Sequence, residues 1–165
     1  LRSGRVARVI GRGVLPTEHL VILDQGQRHS LAPDSPVVVL EGLVGRLTEV
    51  HLSTSTALLL TDPNSRVACL VERSRELGLL VGTGTSVPEL IYLDVNADVV
   101  VGDRVVTAGL GGPFPKGIPV GTIIQVVHDE RRVAATARLR PLARLSQLED
   151  VLCLPPDPQT WAGGP

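Results

Sequence analysis

The chain has 165 residues, enough for one ordinary domain or two small ones, and its 43% hydrophobic and 20% charged content excludes a wholly disordered polymer. A net charge of −1 removes the long-range attraction to phosphates on which nucleic-acid binders depend, so no nucleic-acid partner is expected. The apolar residues are mainly Val, Leu and Ala, with one Phe, one Tyr and one Trp, so the core has to be aliphatic and closely interdigitated.

In chain order, short runs rich in Val, Leu and Ile, each bounded by Gly, Pro, Asn or Asp, predict twelve strands. They are Arg5–Ile10, His19–Leu23, Val37–Leu40, Val44–Val50, Thr56–Leu60, Arg66–Glu72, Leu77–Val81, Glu89–Leu93, Arg104–Thr107, Pro119–Val127, Ala134–Leu139 and Leu152–Leu154. No long stretch carries an uninterrupted helical stripe. The best helical turn is Leu142–Asp150, with Ser146 as its candidate cap. In Gly45–Val50 and Arg66–Glu72 apolar positions nearly alternate with polar or small ones, which predicts strands with one wet face. The expected class is therefore all-β with minimal helix, as two small six-stranded-type β-barrels in tandem, because closure removes the edges along which short strands aggregate. A sandwich satisfies the same pattern.

A faint internal repeat supports the tandem reading. Val37–Val50 lines up with Val105–Leu110 and, after an insertion, Val120–Val126, and both units run strand, Gly-Leu, Gly, strand. Chance similarity between Val- and Gly-rich strands is the alternative. The expected division is residues 5–74 for the first barrel and 75–154 for the second, with a junction near Arg73–Leu77 and the last strand free to return to the first barrel. Residues 155–165, dense in Pro and Gly, are expected to form a flexible tail in which Trp161 is unpacked or a short recognition element.

Cys69 and Cys153 each lie in an apolar run, where a buried free thiol acts as a small hydrophobe; a disulfide is the alternative. No run reaches the roughly 18 apolar residues of a membrane-spanning helix. The chain opens at Leu1 without Met or signal peptide, so it reads as a fragment whose location is not encoded in this segment.

Tandem small barrels also carry chymotrypsin-like hydrolysis, which needs a Ser or Cys on a Gly-rich turn. The Gly-rich turn here is Gly109-Leu110-Gly111-Gly112, and Leu110 supplies no nucleophile. His19, His29, His51 and His128 lie too far apart for short-spaced zinc ligation, and His51 and His128 read as exposed strand ends. Asp62, Asp94, Asp98 and Asp103 fall in turns, where Asp accepts backbone hydrogen bonds. Gly82-Thr83-Gly84-Thr85 lacks the third Gly and the helix of a dinucleotide loop and reads as a turn, and Asp129-Glu130-Arg131-Arg132 reads as a solvated hairpin tip. No catalytic residue, metal ligand or cofactor is assigned, and no enzyme is expected.

Two stretches carry a family resemblance: Leu60-Thr61-Asp62-Pro63-Asn64-Ser65-Arg66-Val67, and the longer Thr107-Ala108-Gly109-Leu110-Gly111-Gly112-Pro113-Phe114-Pro115-Lys116-Gly117-Ile118-Pro119-Val120-Gly121. With Glu41–Arg46, Gly78–Gly84 and Val101–Val106 in the same order, they resemble the rod shape-determining MreC family from about Val9 to Leu154. Ala108 stands where that family often carries Ser, and Arg12–Glu18 lacks its usual aromatic residue. The resemblance implies two β-barrels outside the inner membrane, with a membrane crossing and a coiled coil upstream. It implies a non-enzymatic periplasmic scaffold of the elongation complex that organises cell shape and peptidoglycan synthesis. The implied partners are a class B penicillin-binding transpeptidase, MreB- and MreD-type elongation proteins and the chain itself, as homodimer or filament. The Gly109–Gly121 segment is rigidified by Pro113, Pro115 and Pro119, which reduces the ordering entropy lost on binding. Leu110, Phe114, Pro115 and Lys116 are therefore the candidate partner-binding residues, with Phe114 either an anchor or a core residue plugging a barrel end.

Overall fold

Each predicted strand forms in the computed structural model, which describes residues 4–13, 15–131 and 133–156. The strands are β1 (Arg5–Arg12), β2 (Leu20–Leu23), β3 (Pro36–Val39), β4 (Gly42–Val50), β5 (Ser55–Leu59), β6 (Arg66–Val71), β7 (Leu77–Val81), β8 (Glu89–Asp94), β9 (Arg104–Thr107), β10 (Pro119–His128), β11 (Ala134–Pro141) and β12 (Asp150–Cys153). They close into two six-stranded barrels, in the orders β1-β12-β3-β4-β5-β2 and β10-β11-β8-β7-β6-β9. Closure gives every strand two hydrogen-bonded neighbours, so neither barrel keeps an open edge.

The pairing corrects the expected division at 74/75. β6 bonds to β7 and β9, so Arg66–Val71 belongs to the second barrel and the chain crosses between barrels at residues 60–65. β12 returns to the first barrel, between β1 and β3. The reason is closure. Five consecutive strands leave the free sides of β1 and β3 open, and β12 fills the place that β6 takes between β7 and β9 in the second barrel. The repeated stretches fall on β3–β4 and β9–β10, adjacent antiparallel pairs at equivalent places in the two barrels. Their aligned glycines, Gly45 and Gly121, both sit where a neighbouring strand's carbonyl comes close: a Cβ would lie 1.8 Å from the Leu58 oxygen and 2.8 Å from that of Arg140.

Alternation fills the interiors. Val67, Cys69 and Val71 of β6 join the second core with Val105, Val120, Ile123 and Leu139, whereas Val21, Val37, Val44, Leu47 and Val151 build the first. The outer side of β6 is drier than the pattern predicts, because Leu70 packs with Val106 and Ala108 in a separate buried cluster. Cys69 and Cys153 lie in different barrel cores as free thiols, and burial pushes both up to about 12.

The barrels share side chains. Leu43 of β4 and Leu60 of the crossing are fully buried in the second barrel's core, and Gly42 is so close to Pro119 that a Cβ would meet its carbonyl oxygen at 2.6 Å. The only helical pieces among the described residues are two 3-10 turns, Gln27–His29 and Leu145–Gln147. Ser146 lies inside the second, and Arg144 holds the cap position without a side-chain bond, so the expected Ser146 cap is corrected. Residues 157–165 with Trp161, and Arg132 of the predicted hairpin tip, lie outside the described residues.

Candidate functional site

The loop from Ala108 to Ile118 leaves β9 and returns as β10, and it is tied down from beneath. Thr107, fully buried, donates its hydroxyl to the Pro115 carbonyl at 2.6 Å and accepts the Ile118 N–H at 2.9 Å, and its own carbonyl accepts the Gly117 N–H. Thr107→Val keeps the shape and leaves the Ile118 N–H and the Pro115 carbonyl without that partner. It is expected to lower stability by about 2 kcal/mol in urea denaturation, and an unshifted midpoint would show that the loop does not depend on this hydroxyl.

The loop sorts the four candidate residues. Phe114 is 7% exposed and joins the second barrel's core, so its reading as a surface anchor is corrected: the ring plugs the barrel end. Leu110 is 58% exposed, Lys116 is exposed and Pro115 is half-buried, so these three form the loop's accessible part.

A second constellation holds the barrels together at the crossing. Asp62 is buried, and its carboxylate accepts the His19 N–H from the first barrel at 3.0 Å and the Asn64 N–H at 2.8 Å. The His19 ring meets the Thr61 hydroxyl at 2.6 Å. From the second barrel, Gly84 N–H donates to the Thr61 carbonyl and Gly82 N–H to that of Ser65. A hydroxyl beside an imidazole supplies two members of a catalytic triad, but the third is missing from the ring: the Asp62 carboxylate binds main-chain N–H groups and does not orient the His19 imidazole. The arrangement pins segments rather than aiming a nucleophile.

Of the remaining predicted acids, Asp94 and Asp103 accept backbone N–H groups as turn residues do, whereas the Asp98 carboxylate binds Arg73 instead. Asp94 accepts the Asn96 N–H and Asp103 the Val100 N–H. A cluster with no sequence signature joins Asp98 to Asp103. Arg73 donates to both Asp103 oxygens at 2.9 and 3.0 Å and to both Asp98 oxygens at 2.9 Å, bridging separations of 30 and 25 residues. These hydrogen bonds hold both carboxyls below the ordinary carboxylate value near 4, with desolvation opposing. Because the folded values are depressed, the stabilisation is complete above about pH 4 and is lost as pH falls through the folded values. Melting temperature followed from pH 7 to about pH 2 should therefore drop in acid, and Arg73→Leu should lower the neutral value and flatten that drop. An unchanged acid limb in Arg73→Leu would assign it to other carboxyls.

His51 and His128 are exposed at strand ends, and the described residues contain no group of three metal-ligating side chains. A cleft of about 700 Å³ lies between the barrels, lined from the first by Arg12, His19 and Leu20 and from the second by Val87, Ile124 and Arg140.

Residues 9–155 match the family model described as rod shape-determining protein MreC, barrel core. The chain belongs to the MreC family. It is 36% identical to the cell shape-determining protein MreC of Caulobacter vibrioides over 79% of this chain and 38% of that protein. It is 34% identical to the Escherichia coli MreC over 90% of this chain and 41% of that one. The chain thus spans less than half the length of these two relatives. The crystal structure of Pseudomonas aeruginosa MreC superposes with a TM-score of 0.88 at 33% identity, covering 92% of this chain and 99% of that one. A Helicobacter pylori MreC solved in complex with penicillin-binding protein (PBP2) shares the fold at a TM-score of 0.73 and 18% identity, over 93% of this chain and 99% of that one. The two longest MreC-like stretches of the sequence are the inter-barrel crossing and the loop that Phe114 plugs, so both serve the barrel pair's architecture.

Proposed function

We propose that this barrel pair is a non-catalytic scaffold of the bacterial elongation complex, on the outer side of the inner membrane, which organises cell shape and peptidoglycan synthesis by binding a class B penicillin-binding transpeptidase. The observation that carries this reading is the fold it shares with an MreC solved together with a penicillin-binding protein. The residue chemistry agrees with it: the polar clusters of this chain tie loops and barrels to one another. In the full-length protein an upstream helix anchors the barrels, MreB- and MreD-type proteins connect them to the cytoplasmic side, and self-association multiplies weak contacts. Leu110 and Lys116, with Pro115, present the loop's contact surface, held rigid by Phe114 beneath it. The scaffold acts by population shift, binding the transpeptidase's active conformation more tightly than the inactive one.

Titration calorimetry of this chain against the extracytoplasmic part of the cognate class B transpeptidase tests the reading. Saturable binding that Leu110→Glu weakens supports it. Absence of heat at the highest soluble concentrations refutes the partner assignment.

A further inference from the structure

We infer that the cleft between the two barrels is a docking groove for an extended peptide segment of the partner, one that carries aliphatic side chains beside Asp or Glu. The inference rests on the scaffold reading above and adds a second contact, apart from the Leu110 loop, with its own place and chemistry. The floor is aliphatic: Leu20 and Leu59 come from the first barrel, Val87 and Ile124 from the second and Leu145 from the returning segment. Ile124 is the extra residue where the β10–β11 register shifts, and because the preceding Ile123 points into the core its own side chain points outward, 36% exposed, into the cleft.

Charge selects the occupant. The cleft carries two guanidinium groups from opposite barrels, Arg12 and Arg140, in a chain whose net charge is −1. Neither pairs with a carboxylate among the described residues; Arg12 donates only to the Leu145 carbonyl, at 3.1 Å. Glu18, the one carboxylate among the described lining residues, accepts the Leu15 N–H through Oε1 at 3.2 Å and keeps its negative charge, so the two guanidinium groups outnumber it. An incoming carboxylate therefore meets two cations that have no carboxylate partner among the described residues, which set orientation and partner choice, while the aliphatic floor supplies affinity. A peptide fits better than an acyl chain because Ser86 and Ser146 also line the walls, and a peptide backbone brings partners for their hydroxyls where a hydrocarbon would bury them unpaired.

Overlapping 12-residue peptides covering the extracytoplasmic part of the cognate transpeptidase, titrated against the ¹⁵N-labelled chain, test the inference. The expected binders hold aliphatic residues next to Asp or Glu and shift the amides of Leu20, Val87, Ile124 and Arg140. Ile124→Glu should weaken such a peptide and the intact transpeptidase at least roughly tenfold, and Arg140→Glu roughly threefold or more with a flatter salt dependence. Both positions are exposed, and unchanged melting temperatures exclude misfolding as the cause. If the intact transpeptidase binds wild type and both variants within twofold of one another, the cleft assignment falls and the scaffold reading stands. If neither peptides nor intact transpeptidase bind, both fall. Shifts of the same amides by phosphatidylglycerol vesicles, or by raising the concentration of the chain alone, in the absence of any peptide effect, would replace the peptide with a lipid or a second copy.

Discussion

Phe114→Ala is expected to remove about 3–5 kcal/mol of folding stability, the range for deleting a buried aromatic ring. The chain's one Phe is 7% exposed and packs into the second core, which otherwise consists of Val, Leu, Ile, Ala and Cys side chains. Aliphatic neighbours on barrel strands cannot move inward to refill a ring-sized void without breaking ladder hydrogen bonds, so little of the loss is recovered. Ordinary domains are stable by about 5–15 kcal/mol, so the loss is a large share of a typical domain's stability. Urea denaturation followed by circular dichroism reads the loss, and Phe114→Leu should restore about half of it. A Phe114→Ala midpoint equal to wild type, with partner binding abolished, would return Phe114 to the interface.

Gly82→Ala should be comparably severe, at about 3 kcal/mol or more, for a steric reason. A Cβ there would lie 1.9 Å from the Asp62 carbonyl oxygen and 2.6 Å from its carbon, both main-chain atoms of the crossing that no rotamer change can move. The β7–β8 loop must withdraw, taking with it the Gly82 and Gly84 N–H bonds to the crossing. Since Leu60 of that crossing is buried in the second core, the damage spreads to both barrels. Gly111→Ala provides a control at a glycine with nothing within 4 Å; its φ of 54° makes it costly only through the backbone, by about 1 kcal/mol. A Gly82→Ala melting temperature no lower than that of Gly111→Ala would mean the barrels tolerate separation at the crossing.

The twelve strands were legible because Val, Leu and Ile runs between Gly, Pro and Asp punctuation are a local signal, whereas the same pattern suits a sandwich and the strand pairing is what closes it into barrels. Membership was not. Arg66–Val71 and Asp150–Cys153 read alike along the chain, and which barrel each completes depends on which strand pair is left open, a property of three-dimensional closure. Phe114 was ambiguous for a related reason: a lone aromatic in a Pro- and Gly-rich loop suits an anchor or a plug equally, and only its packing in the closed second barrel decides.

The amino-acid sequence by itself determined the all-β class, the strand positions and the MreC-like stretches, because these rest on composition, on alternation within a few residues and on turn chemistry, while closed barrels in place of a sandwich were what the family resemblance implied. The tertiary structure alone decided the exchange of β6 and β12 between barrels, the Arg73–Asp98–Asp103 clamp, and the cleft where Arg12 meets Arg140 and Ile124 points outward at a register shift. Those features join groups from 25 to more than 100 positions apart, and no local periodicity records a contact whose free energy is realised only after both barrels have closed.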